Sequence, residues 1–68
     1  MNKFFGQKLK ELRNEKNLTQ LQLAKVFKVS KTTICQWETS KQEPDFDNLV
    51  AISKYFDVST DYLLGIED

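Results

Sequence analysis

The stretch "TQLQLAKVFKVSKTTICQWET", residues 19–39, carries two short apolar stripes separated by about one tight turn. Leu23, Ala24 and Phe27 recur at helical spacing in the first, and Ile34 and Trp37 in the second. Thr19 followed by Gln22 has the spacing of a capping box, the hydroxyl accepting from a free amide and the carboxamide reaching back. Ser30 is placed to cap the second run, so Lys28-Val29-Ser30 is the whole connection. The outside of that second run is the puzzle. Thr32 and Thr33 are weak helix formers, because a branched β-carbon loses rotamer freedom against the preceding turn. With Lys31 and Gln36 they make a polar face that is either indifferent or chosen for what it touches.

The flanking sequence reads as three more helices. Phe5, Leu9 and Leu12 predict one over residues 3–16, stopped at Asn17, a residue that tolerates the left-handed conformation. The second helix runs to about Lys28 and the third over residues 31–39. Glu43-Pro44-Asp45 breaks the chain, and Asp45 caps a fourth helix over 46–56 with Phe46, Leu49, Ile52 and Phe56 on one side. Ser59 caps a last short helix carrying Tyr62, Leu63 and Leu64, which Gly65 ends. Nothing alternates with period two, and no repeat, linker or low-complexity segment interrupts the pattern. The reading is all-α, a single domain over residues 1–68.

Composition narrows the chemistry. Histidine is absent and Cys35 is the sole cysteine, read as a core-adjacent, inert thiol or a minor neighbour of the groove side. No usual metal-ligand spacing can be assembled from these residues, and the commonest general base is missing, so an enzyme is not expected. One cysteine cannot form an internal disulfide, which suits a reducing compartment. No apolar run approaches the roughly 20 residues of a membrane span, and the start is too short for a signal-peptide core. A soluble, cytoplasmic protein is expected, complete from Met1, with no effector domain after Asp68 and neither cofactor nor small-molecule ligand. The net charge is zero but unevenly distributed. Residues 1–41 hold nine basic side chains against three acidic ones, and residues 42–68 hold one against seven. Such a bipolar chain can offer one face to phosphates and keep the other away.

At this point the sequence resembles the phage repressor and Cro-type helix-turn-helix family. The matching elements are "LKELRNEKNLTQLQLAKVFKVSKTTICQWETSKQEPD" and "LVAISKYFDVSTDYLLG", which extend the likeness over residues 4–65. The resemblance implies a compact, five-helix, lambda-repressor-like DNA-binding domain, its helix-turn-helix at about 19–39, in a transcriptional regulator that binds operators as a dimer. It also implies an ion pair between Arg13 and Glu38, tying helix one to the end of helix three. Asn17, Lys28 and Ser40 stand where the family often carries glycine.

On that footing the polar face finds a use. Only the N-terminal part of a reading helix approaches base edges in the major groove, and it must expose short polar groups there. Lys31, Thr32, Thr33 and Gln36 are the base-reading candidates, with Gln36 suited to a bidentate pair with adenine. Gln20, at the start of the helix before, and Thr39, Ser40 and Lys41 in the following loop are the phosphate-contacting candidates, as the resemblance implies. Trp37 shares Ile34's face and belongs to the core. The expected partner is a palindromic double-stranded operator bound by a homodimer, since one unit discriminates poorly alone. Tyr62, Leu63, Leu64 and Ile66 offer more apolar surface than one short helix hides, and the dimer contact is expected there. The contrasting reading is an adaptor that keeps the fold without binding DNA, a reading fed by the neutral charge and the departures at Lys28 and Ser40.

Overall fold

The structure, a computed structural model, describes residues 3–66 and is helical throughout, with no strand among the described residues. The elements are α1 (Lys3–Glu15), α2 (Gln20–Phe27), α3 (Lys31–Glu38), α4 (Phe46–Phe56) and α5 (Thr60–Leu63). Met1, Asn2, Glu67 and Asp68, including two carboxylates of the acidic half, lie outside the described residues. None of these helices is long and apolar enough to cross a membrane.

Four of the five helices start on a side chain that accepts from a free backbone amide. Thr19 caps α2 in a complete capping box: Thr19 Oγ1 accepts from Gln22 N at 3.1 Å, and Gln22 Oε1 accepts from Thr19 N at 2.8 Å. Ser30, Asp45 and Ser59 do the same for α3, α4 and α5 through Thr33 N, Asn48 N and Tyr62 N. Each such cap contributes about 1 kcal/mol, a large share for helices of eight residues or fewer.

The chain turns through left-handed residues that are not glycine. Asn17, Lys28, Ser40 and Asp57 all have φ between 55° and 62°. The turn between α2 and α3 therefore keeps its shape with a lysine in it, closed by Lys28 N and Val29 N donating to the carbonyls of the last turn of α2. Asp57 ends α4 in the same way, although sequence reading did not single it out.

Leu9, Leu23, Ile34, Ile52 and Leu63, one from each helix, are fully buried at the centre. Phe5, Leu12, Ala24, Trp37 and Phe56 surround them. Two expectations need correction here. Leu63 is completely buried within its own chain and offers no surface to a second copy; α5 is so short that its one inward position must close the core. Phe46 is 78% exposed instead of sharing the core side of α4. At about 100° per residue it points roughly 120° away from Ile52, and it occupies the first helical position, where α4 has not yet reached the core.

Candidate nucleic-acid interface

The geometry of the site begins with what fixes α3. Its inner face is Ile34, Trp37 and Glu38, all buried, packed on α1 and α2. Glu38 is a charged group in that position, and Arg13 of α1 neutralises it. Arg13 Nε reaches Glu38 Oε2 at 2.6 Å and Nη2 reaches Oε1 at 3.2 Å, the two-pronged geometry of a guanidinium on a carboxylate. The third nitrogen, Nη1, donates to the Leu18 carbonyl at 2.7 Å. No buried side-chain nitrogen or oxygen among the described residues lacks a partner.

With its inner side fixed, α3 turns Lys31, Thr32, Cys35 and Gln36 outward around a shallow hollow of about 470 Å³. Gln20, Lys31, Thr32, Cys35, Gln36, Thr39 and Lys41 line it. Six of the eight base-reading and phosphate-contacting candidates thus share one concave surface, with lysines at both ends of the run and no carboxylate in the lining. Thr33 and Ser40 are not part of it. Thr33 lies within hydrogen-bond distance of the Ser30 hydroxyl, 3.0 Å, and so takes part in the cap of its own helix.

Other candidates are partly committed as well. Thr39 Oγ1 donates to the Cys35 carbonyl at 2.8 Å, so its proton is turned back on the helix. The amides of Thr39, Ser40 and Lys41 donate to the carbonyls of Cys35, Trp37 and Gln36, which leaves Ser40 only its hydroxyl for an outside acceptor. Lys41 is exposed. Gln20 Nε2 donates to Glu38 Oε1 at 3.0 Å, joining the Arg13 pair from the other side.

Two features of the surface were decided or added by the structure. Cys35 is exposed and borders the hollow, so of its two expected placements the groove side holds and the core side does not. The helical wheel, which sets Cys35 beside Gln36, agrees with this. The Gln20–Glu38 bond joins residues 18 positions apart and had no local signal.

Comparison with known proteins places this arrangement. The sequence profile of the helix-turn-helix family matches residues 9–63. The chain is 48% identical over 64 residues to the HTH-type transcriptional activator BcrR of Enterococcus faecalis, covering 94% of this chain and 31% of that protein. It is 41% identical over 59 residues to the repressor protein C2 of Salmonella phage P22, covering 87% of this chain and 27% of the relative. The chain thus spans about a third or less of the length of these two relatives. Among solved structures, the P22 c2 repressor in complex with a synthetic operator superposes with a TM-score of 0.87 at 37% identity, over 96% of this chain and 98% of that one. The restriction-modification controller protein C.AhdI of Aeromonas hydrophila gives a TM-score of 0.75 at 27% identity, over 87% and 89% of the two chains. The fold described above superposes on both solved structures, and the chain belongs to the helix-turn-helix family.

Proposed function

We propose that the chain binds double-stranded DNA sequence-specifically, as the operator-reading part of a transcriptional repressor, with α3 in the major groove. The observation that carries the reading is the hollow: a polar, lysine-flanked surface on a helix whose other side is fixed in the core. The superposition on a repressor solved with its operator supports the same use. Lys31, Thr32 and Gln36 read base edges there, with Thr33 a weaker reader because its hydroxyl is engaged by Ser30. Gln20, Lys41, the Ser40 hydroxyl and, after rotation of its own hydroxyl, Thr39 meet the backbone. Repression needs no more than occupancy, because a domain seated on an operator excludes other proteins from it.

Binding as a homodimer on a palindrome would roughly double the specific term, each good bidentate contact contributing about 1–3 kcal/mol. Tyr62, Leu64 and Ile66 remain for that contact. Ile66 is the most exposed of them, and Tyr62 is covered in part by Lys8, whose Nζ lies 4.4 Å from the ring centroid. Such a protein works where the DNA is, in the cytoplasm.

Selection of bound fragments from a random-duplex pool tests the reading and yields both the site and its symmetry. An enriched duplex should shift the amide resonances of residues 31–36, and affinity for random DNA should fall steeply with salt. A chain that enriches no duplex and shows no salt-dependent binding overturns the reading and favours the adaptor.

A further inference from the structure

Gln20 carries a hydrogen bond that reading DNA does not require. Its Nε2 donates to Glu38 Oε1, the oxygen that also accepts from Arg13 Nη2. Groups from α1, α2 and α3 meet at this one carboxylate, whose side chain is only 2% exposed. A carboxylate accepts and never donates, so the Gln20 amide must face it nitrogen first. The reversed orientation would set two acceptors against each other. An amide nitrogen carries two hydrogens, and Glu38 uses one of them. The second remains, on a side chain that borders the hollow.

Resting on the DNA-binding reading above, we propose that Glu38 is a positioning residue: neutralised by Arg13, it holds the Gln20 carboxamide with its second N–H turned toward a phosphate oxygen of the duplex backbone. The rotamer entropy of aligning a flexible glutamine is then lost on folding rather than on binding. Arg13 is required for this, since a bare carboxylate so close to a phosphate would repel it. The acid is thereby turned from an obstacle into a rest for a donor.

Two measurements test it. In the free protein, the side-chain amide of Gln20 should give two separated proton resonances, one of them protected from exchange with water. Resonances that exchange as fast as those of the exposed Gln42 overturn the proposal and leave the DNA-binding reading standing. On DNA, an enriched duplex is prepared with its phosphates replaced one at a time by uncharged methylphosphonates. Gln20→Ala and Glu38→Gln should each lower affinity about tenfold. The double variant should lose no more than the larger single loss, and all three variants should become insensitive to replacement of the same phosphate. Losses that multiply, or that single out no phosphate, make Glu38 structural only and overturn the proposal. Should Glu38→Gln fail to fold, Gln20→Ala with the methylphosphonate series and the exchange measurement still decide. If the unaltered chain enriches no duplex, the DNA-binding reading falls and this proposal with it, whatever the exchange rates.

Discussion

Gly6 of α1 sits against the carbonyl oxygen of Glu38 so closely that a β-carbon added to it would lie 2.5 Å from that oxygen and 2.7 Å from the carbonyl oxygen of Trp37. Both obstacles are backbone, which cannot swing aside as a side chain can. The missing side chain is therefore what lets α1 lie directly on the last turn of α3, and it sets how far α3 stands out from the body. Gly6→Ala should destabilise the domain by about 1–3 kcal/mol, the usual range for overpacking. Urea unfolding with an unchanged dependence on denaturant would show this; an unaltered midpoint would mean the helices separate at no cost.

Arg13 and Glu38 should behave as a pair. Arg13→Met alone leaves a buried carboxylate without its cation and should cost about 3–5 kcal/mol. Arg13→Met combined with Glu38→Leu removes both charges and should recover a large part of that loss. Thermal unfolding of the two variants decides it. A double variant no better than the single would assign the loss to packing around Arg13 instead.

Lys28 offers a gain. At φ 58° a residue with a β-carbon is strained by about 1–2 kcal/mol, whereas glycine has no such penalty but gives up more freedom on folding. Lys28→Gly should raise stability by up to about 1 kcal/mol, or about 4–8 °C in Tm for a domain of this size. Asn17→Gly should do less, because asparagine tolerates the left-handed region. A fall in Tm for Lys28→Gly would point to a contact of the lysine side chain that outweighs its strain.

Substitutions at Gln36 and Lys41 should separate the two proposed kinds of DNA contact. Gln36→Ala should weaken an enriched site by about 1–3 kcal/mol and random duplex far less. Lys41→Ala should weaken all sequences alike and reduce the slope of log affinity against log salt by about 1. Equal losses for Gln36→Ala on both kinds of duplex would remove it from the base readers, and an unchanged slope would remove Lys41 from the phosphate contacts.

What was legible beforehand follows the range of each interaction. Thr19, Ser30, Asp45 and Ser59 announce helix starts because a cap bonds to an amide only a few residues on, and the helices begin where those residues place them. The wheel of α3 separates Ile34 and Trp37 from the polar face for the same local reason. Phe46 and Leu63 went astray because the orientation of a first-turn residue, or of a helix one turn long, is decided by what packs against it. The seat of Gly6 on α3 and the bond from Gln20 to Glu38 join separate helices, and neither residue carries a mark of its distant partner.

The helix proposed to read DNA, α3, is only eight residues long. Peptides shorter than about 12–15 residues scarcely hold helical form in water by themselves, so this segment has no shape apart from the body that carries it. On the proposed function, melting and loss of recognition are consequently a single thermodynamic event. A cognate duplex at a hundredfold excess over its Kd would lift the unfolding free energy of the whole domain by about 2.7 kcal/mol, which makes simple calorimetry of the protein a screen for its operator.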